Sequence, residues 1–172
     1  MFIAIKDTKL IAIHEVEWQC RRKVKGLDKS AYWTWLETVT SEDENGVKTY
    51  DFSGEDYEIV ETDAPLSYES TDDEGNPITI PFNQSGHIHD GHYHLTWDGS
   101  AILKDDTALT EYQTAEKWKR VRADRNRRLA ETDYLALSDQ TLSAEMTTYR
   151  QALRDVPTQT DPDNITWPVK PT

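Results

Sequence analysis

The last third of the chain, residues 118–167, restricts the possible fold most, because it carries two helical patterns followed by a proline-rich tail. In its first part, side chains that recur every three or four residues would line one face of a helix. They are Trp118, Val121, Arg122, Arg125 and Leu129. A second set with the same spacing is Leu142, Met146, Tyr149 and Leu153. The sequence therefore predicts an αα-hairpin with an extended tail.

Signals at the ends of both helices set their predicted limits. Asp105-Asp106-Thr107 can cap the first helix, which is expected from about Thr107 to Ala130. Thr141 and Ser143 are candidate N-caps of the second helix, and Pro157 ends it. The later prolines cannot continue a helix and keep the tail extended. They are Pro162, Pro168 and Pro171.

Short runs rich in β-branched and aromatic residues fill the first hundred residues and predict strands. They are Phe2 to Ile5, Leu10 to Ile13, Val16 to Val24, Ala31 to Val39, Val47 to Phe52, Tyr57 to Val60, Leu66 to Tyr68 and Ile78 to Ile80. Asn45-Gly46 and Asp90-Gly91 are typical of two-residue hairpin turns. The expected class is α+β. It comprises an antiparallel all-β domain at 1–100, barrel- or sandwich-like, a linker and helix start at 101–113, and a helical domain with an extended tail at 114–172.

The net charge of −13 is distributed unevenly along the chain. Residues 118–155 hold 8 Lys and Arg against 6 Asp and Glu, whereas the rest holds 11 against 26. A mildly basic helical part on an acidic body suits docking to an acidic protein surface and argues against DNA binding by the body. No apolar run approaches 18 residues, so no membrane span is expected, and the apolar segment at the N-terminus is too short for a secretory signal. The single cysteine, Cys20, excludes an internal disulfide framework and is expected in a strand.

Four histidines surround the predicted Asp90-Gly91 turn. Strand alternation about a two-residue turn places His89 opposite His92. The next pair outward is His87 and His94, so all four imidazoles would share one side. Cross-strand Cβ separations of about 5 Å would let several imidazoles converge on one ion, which makes Fe or Zn a candidate ligand. The favoured alternative is a polar strand face without metal, because no cysteine or second layer of polar partners supports a metal site.

Residues between Trp118 and Pro168 also follow a longer motif. It comprises Trp118, Arg122, Arg125, Asn126, Leu129, Asp133-Tyr134, Asp139, Tyr149-Arg150, Leu153-Arg154-Asp155, Pro157 and Ile165-Thr166-Trp167-Pro168. In these residues the chain, over about 114–171, resembles the phage tail assembly chaperone-like C-terminal domain. Tyr134 and Met146 stand where that family usually has tryptophan, so a contact specific to tryptophan would be lost there. The N-terminal part shows no such resemblance.

The resemblance implies association with phage tail or tail-fibre proteins, in the virion tail or in the host cytoplasm during assembly. The residues expected to contact a partner are Trp118, Arg122, Arg125, Tyr149, Arg150, Arg154, Trp167 and Pro168. Arg122 and Arg125 fall on the helix face expected to be buried, where an unpaired charge is costly. The carboxylates available for ion pairs are Asp133, Asp139 and Asp155. Either this network only holds the hairpin together, or the Trp167-Pro168 tail also docks into a partner or back over the hairpin.

Three function classes are compatible with these features. The favoured one is a non-enzymatic tail protein, either a tail-fibre or baseplate-associated component or a tail-fibre assembly factor, with a trimer or a multi-copy ring as the suggested oligomer. An enzyme would use His87, His89, His92 and His94 as ligands of a catalytic metal. No Gly-rich phosphate loop, nucleophile elbow or His-Glu-x-x-His helix supports that class. A nucleic-acid binder would use the seven basic residues from Lys117 to Arg128, but these surround the whole helix, and the acidic body would repel phosphate.

Overall fold

A computed structural model describes residues 1–136 and 141–171, and the chain divides into a first unit, Met1–Leu109, and a second unit, Thr110–Thr172. The helices are α1 (Glu17–Val24), α2 (Lys29–Thr38), α3 (Asp106–Ala130) and α4 (Ala144–Asp155). The strands are β1 (Phe2–Lys6), β2 (Lys9–His14), β3 (Thr40–Glu42), β4 (Lys48–Tyr50), β5 (Glu58–Glu61), β6 (Ser67–Thr71), β7 (Pro77–Pro81), β8 (Ile88–His89), β9 (His92–Tyr93), β10 (Leu95–Trp97) and β11 (Ile102–Lys104). In the described ranges, no helix combines the length and the apolar character needed to cross a membrane.

An antiparallel sheet with the strand order β11, β10, β2, β1 and β5 organises the first unit. Three further antiparallel pairs, β3 with β4, β6 with β7 and β8 with β9, stand as separate ladders. Asp7 and Thr8 join β1 to β2 with φ of 48° and 67°, and Asp90 and Gly91 join β8 to β9 with φ of 46° and 79°. Positive φ at both central residues is the geometry of a tight hairpin turn. The predicted α+β class and the predicted hairpin at Asp90-Gly91 are confirmed.

Side-chain alternation along the sheet gives the first unit apolar packing on two faces. On one face, a buried cluster is formed by Ile3, Ile5, Leu10, Phe82, Leu95 and Ile102. On the other, the small residues Ala4 and Ala12 let α1 lie close to the sheet, with Cys20 fully buried between them. Burial raises the pKa of the Cys20 thiol to about 11, so the cysteine stays protonated and acts as a small apolar residue.

Two predicted strands of the first unit are wrong, because the runs Val16 to Val24 and Ala31 to Val39 form α1 and α2. Cys20, expected in a strand, lies on α1. The first unit is therefore a sheet with helices and not an all-β barrel or sandwich. The end of α1 shows the physical reason: Gly26 has φ +63°, and the Leu27 N–H donates to the Arg22 carbonyl oxygen at 3.2 Å, which closes the helix in the left-handed conformation that glycine adopts cheaply.

The start of α2 is fixed by a side-chain cap. The Asp28 carboxylate accepts a hydrogen bond from the Ala31 N–H at 2.8 Å, which satisfies one of the free donors of the first turn. Trp33 and Trp35 alternate with Tyr32 and Thr34, so a strand period fits this aromatic run as well as a helical one. The Asn45-Gly46 turn does join two strands, but the strand before it is β3 and not the run from Ala31.

The helical predictions for the second unit are confirmed. α3 ends at the predicted Ala130, and α4 begins after Ser143, whose hydroxyl oxygen accepts from the Met146 N–H at 3.1 Å. A short 3-10 helix, Val156–Thr158, contains Pro157 and follows α4 directly. Another, Asp133–Ala136, follows α3. From Gln159 to Pro171 no helix or strand forms, as the prolines predict.

Candidate partner-binding site

The centre of the second unit is an apolar cluster on one face of α4. Met146, Tyr149 and Leu153 are buried there, at spacings of three and four residues that bring them onto one stripe of the helix. The half-buried side chains packed against them are Leu129, Leu135, Leu142 and Trp167. The end of α3, the connection, the start of α4 and the tail therefore all meet at one cluster.

Arg150 binds α4 to the end of α3. The residue is 7% exposed, and its guanidinium donates to the Leu129 carbonyl oxygen at 3.1 Å, to the Thr132 hydroxyl oxygen at 2.5 Å and to the Asp133 carboxylate at 2.8 Å. The Leu129 carbonyl is among the last of α3, where the regular helix provides no N–H donor for it. A planar guanidinium with several donors suits this site, because it pairs a carboxylate and satisfies a helix end together.

The C-terminal tail folds back on its own unit. The guanidinium carbon of Arg128 lies 4.3 Å from the centre of the Trp167 ring, a cation–π arrangement. Lys117 on α3 pairs with Asp163 of the tail at 2.6 Å. Gln159 and Thr166 exchange two hydrogen bonds, of 2.9 and 3.1 Å, which close the loop between them. Of the two expected arrangements for the tail, the structure shows the one in which Trp167 returns to the hairpin.

The expected burial of Arg122 and Arg125 is only partly correct. Arg122 is exposed, while Arg125 is half-buried and donates to the Asn126 side-chain oxygen at 2.8 and 3.0 Å. Val121 takes the buried position of this part of α3. The prediction that Arg122 needs a carboxylate partner is wrong, because its charge stays in water.

The three predicted ion-pair carboxylates have different outcomes. Asp133 pairs with Arg150. Asp155 instead accepts a hydrogen bond from the Gln151 side chain at 3.0 Å. Asp139 lies outside the described residues.

The remaining predicted contact residues lie at the surface or in the core of the second unit. Trp118 is half-buried on α3, Tyr149 is buried, and Arg154 is exposed on α4. Pro168 lines an open groove of about 500 Å³ beside α4. Further residues of that groove are Ala144, Thr148, Tyr149, Ala152 and Pro171. Val169 borders the same groove and is 90% exposed, so an apolar surface remains available next to the tail.

Ion pairs along α3 weaken the nucleic-acid hypothesis. Asp124 binds both Arg127 and Arg128, and Arg127 also pairs with Glu131 at 2.9 Å. The hydrogen bonds and charge of these two arginines, Arg127 first, lower the pKa of Asp124, so the carboxylate stays charged. Lys119 pairs with Glu116 at 3.4 Å. With 10 Lys and Arg and 10 Asp and Glu, the second unit has no net charge with which to attract phosphate.

The histidine hairpin forms with the predicted register, and its four histidines differ in burial. His89 pairs with His92 across the strands, and the His94 N–H donates to the His87 carbonyl oxygen at 2.8 Å. His87 and His94 are buried, whereas His89 and His92 are exposed. Burial, followed by the nearby His92 and His87, lowers the pKa of His94, which favours its neutral form.

His87 has protein partners on both ring nitrogens. Nδ1 lies 2.9 Å from the Ser85 hydroxyl and Nε2 lies 3.0 Å from the Asp106 carboxylate at the start of α3. Among residues 1–136 and 141–171, no group of three or more His, Cys, Asp or Glu is arranged to hold a metal ion. The Fe or Zn site stays a prediction, and the geometry gives His87 the role of fixing a loop to a helix.

Two contributors to the second unit were missed in the sequence, although helical phase could have indicated them. Arg128 and Thr132 follow Val121 and Arg125 at helical spacings, so they continue one face of α3 into the connection. Their partners, Trp167 and Arg150, are distant along the chain. Contacts between residues so far apart along the chain cannot be predicted from sequence spacing; they require the three-dimensional structure.

These contacts define the second unit as a small helical module closed by its own tail. Residues 118–172, about a third of the chain, match the model of the family described as phage tail assembly chaperone protein. The match supports a role in phage tail assembly and confirms the family resemblance of the C-terminal segment. The N-terminal part has no family match. No curated protein and no solved structure matches the chain.

Proposed function

We propose that this protein is a non-enzymatic factor of bacteriophage tail assembly, which acts at the tail fibre or baseplate by protein–protein contact through its second unit. The observation that carries the proposal is the family match over residues 118–172, which extends from Trp118 on α3 to the end of the tail. It includes both elements that close the module, the Arg150 hydrogen bonds and the returned Trp167.

The contacts inside the module indicate two roles for the motif residues: some stabilise the second unit, and others are free to contact a partner. The residues that stabilise the second unit pack inside it; they are Arg150, Tyr149 and Trp167. Arg122 and Arg154 are exposed and carry their charge in water. Exposed arginines and open apolar grooves are each typical of protein interfaces, since guanidinium groups bind carboxylates with defined geometry and apolar grooves accept side chains of a partner. The proposed contact surface therefore comprises Arg122, Arg154 and the groove beside Pro168, and its partner is an acidic surface of a tail protein.

Co-purification with the tail-fibre and baseplate proteins of the same phage tests this proposal. The full chain carries an affinity tag, and the Arg122→Glu/Arg154→Glu double variant is compared with Lys48→Glu/Lys6→Glu, the same charge change placed in the first unit. We expect the first variant to lose binding at least tenfold and the second to bind normally, with all three proteins folded at the assay temperature by circular dichroism. Equal binding by all three proteins, or no tail protein retained by the wild type, would overturn the proposal.

Mass spectrometry of purified virions distinguishes the two sites of action that the proposal includes. Stoichiometric copies in the particle identify a permanent tail component, whereas presence in infected cells and absence from virions identify an assembly factor. Sedimentation of the purified chain tests the predicted trimer or ring in the same preparation.

A further inference from the structure

A chain of aromatic rings in the first unit lies outside the buried clusters on the two faces of the sheet. It connects α1, α2 and the segment around β4. Consecutive ring centres lie at 5.2 Å for Trp33–Trp18, 5.7 Å for Trp18–Tyr32, 5.4 Å for Tyr32–Trp35, 6.0 Å for Trp35–Phe52 and 6.1 Å for Phe52–Tyr50. Such spacings are those of interacting aromatic pairs. Tyr32 anchors the set and is buried, whereas Trp33 and Tyr50, at its two ends, are 43% and 49% exposed.

A cleft of about 320 Å³ opens along this aromatic chain. The cleft is lined by Glu17, Trp18, Arg21, Tyr32, Trp33, Leu36, Tyr50 and Phe52, and the charge of Arg21 is paired with Glu17 and Glu55. Val16, 43% exposed, extends the apolar rim. Large aromatic side chains that face water around a concave surface are typical of binding sites, because folding alone gains little from leaving them exposed.

The first unit already uses the faces of these rings to hold cations. The guanidinium carbon of Arg21 lies 3.7 Å from the centre of Phe52, and the Lys25 ammonium lies 4.0 Å from the centre of Trp35. Within this unit, which the structure describes in full, no cation lies over Trp33 or Tyr50. The exposed ends of the aromatic chain thus offer the same kind of surface to a cation from outside.

Carboxylates beside the cleft would also attract a positively charged ligand. Glu17 accepts from Arg21 at 3.0 Å, yet its side chain is 52% exposed at the rim. Glu55 neutralises Arg21 from the buried side. Residues 1–109 hold 9 Lys and Arg against 22 Asp and Glu, so the entire net charge of −13 belongs to the first unit. Such a field attracts basic ligands over a distance and repels phosphate groups.

We infer that the cleft around Trp18, Trp33 and Tyr50 binds an extended segment of another protein that carries lysine or arginine. A cationic side chain would stack on Trp33 or Tyr50 and pair with Glu17, and the neighbouring apolar groups would pack in the cleft. The negative field opposes a nucleic acid, an anionic membrane and a second copy of the same acidic unit. This binding site is separate from the proposed contact surface of the second unit and does not depend on it.

Titration with a defined basic peptide tests the inference. The probe is acetyl-(Gly-Lys-Pro)3-amide, with acetyl-(Gly-Glu-Pro)3-amide as the charge-reversed control and maltoheptaose as an uncharged ligand for aromatic rings. Binding to the full chain is followed by the indole N–H signals of Trp18 and Trp33 in NMR spectra, each assigned with a Trp→Phe variant. We expect the lysine peptide to shift both signals and to bind at least fivefold more weakly in 300 mM than in 50 mM NaCl.

Three cleft variants and one matched control complete the experiment. Trp33→Ala, Tyr50→Ala and Glu17→Gln should each weaken the lysine peptide at least threefold, whereas Tyr134→Ala, which removes an exposed tyrosine of the second unit, should not. Trp33→Phe gives a second measurement at that position if Trp33→Ala fails to fold. Unchanged affinity in the cleft variants, equal binding of the glutamate peptide, preference for maltoheptaose, or dimerisation that blocks the cleft would each overturn the inference.

Discussion

At the scale of single residues, one arginine explains how the second unit holds together. Arg150 is buried and meets a carbonyl, a hydroxyl and a carboxylate, while Arg154, one turn further on α4, is exposed. The motif in the sequence treats both arginines alike. Their different roles follow from position: Arg150 lies within hydrogen-bond distance of Leu129, Thr132 and Asp133, whereas Arg154, one turn further along α4, is exposed.

Replacing Arg150 should therefore destabilise the second unit strongly. Arg150→Ala removes the hydrogen bonds to Leu129, Thr132 and Asp133, leaves the buried Thr132 hydroxyl oxygen without its donor and removes packing, so we expect a loss of about 3 kcal/mol in the free energy of unfolding. Arg150→Lys should recover only part of this loss, since an ammonium group cannot reproduce the planar set of donors. Urea unfolding followed by circular dichroism measures both.

Arg154→Ala is the matched control for this prediction. It removes an exposed guanidinium from the same helix and should change the free energy of unfolding by no more than about 0.5 kcal/mol. Similar losses for Arg150→Ala and Arg154→Ala would contradict the role given to the Arg150 hydrogen bonds.

At the scale of helices and strands, local signals predicted the second unit well and the first unit only in part. α3 and α4 carry long apolar stripes and clear caps, so their limits could be read from the sequence. α1 and α2 are short, and their aromatic residues fit a period of two as well as a helical period. What decides between helix and strand there is tertiary packing: α1 lies over Ala4 and Ala12, which no local pattern indicates.

Some features of the candidate sites could also be predicted from the sequence, and others could not. The paired register of His89 and His92 followed from the Asp90-Gly91 turn alone. The separation of buried His87 and His94 from exposed His89 and His92 could not be predicted, because it depends on Asp106 and on the sheet beneath. The aromatic cleft was hidden for the same reason, since its rings come from α1, α2 and the chain around β4.

The cap of α2 gives a direct test of the helix that the sequence did not reveal. Asp28→Ala removes the acceptor for the Ala31 N–H and should cost about 1 kcal/mol of stability. Asp28→Asn keeps an acceptor oxygen and should cost much less. Chemical unfolding followed by tryptophan fluorescence reports the change through Trp33 and Trp35, which lie on this helix.

Asp63→Ala controls for the loss of one negative charge. Asp63 is exposed and has no hydrogen bond in the first unit, so its removal should be neutral or slightly stabilising. If Asp28→Ala behaved like Asp63→Ala, the capped start of α2 would be wrong.

At the scale of the whole molecule, charge separates the two units more sharply than fold does. The first unit holds the full net charge of −13, and the second unit is balanced. A compact body with such an excess repels itself, and this repulsion lowers its stability while favouring contact with basic partners. In the first unit, the aromatic cleft and the negative charge therefore both favour binding of a basic partner. In the second unit, many charges are paired with one another.

Salt should therefore stabilise the first unit. Raising NaCl from 20 to 300 mM shortens the screening length to below about 10 Å and reduces the repulsion, so we expect the melting temperature reported by tryptophan fluorescence to rise by at least about 2 °C. Asp73→Lys, at an exposed position of the first unit, should reduce this rise because it removes two units of negative charge there. Glu111→Lys makes the same change at an exposed position of the balanced second unit and should leave the rise unaltered. A melting temperature that falls with salt, or an equal effect of the two substitutions, would show that self-repulsion of the first unit does not limit its stability.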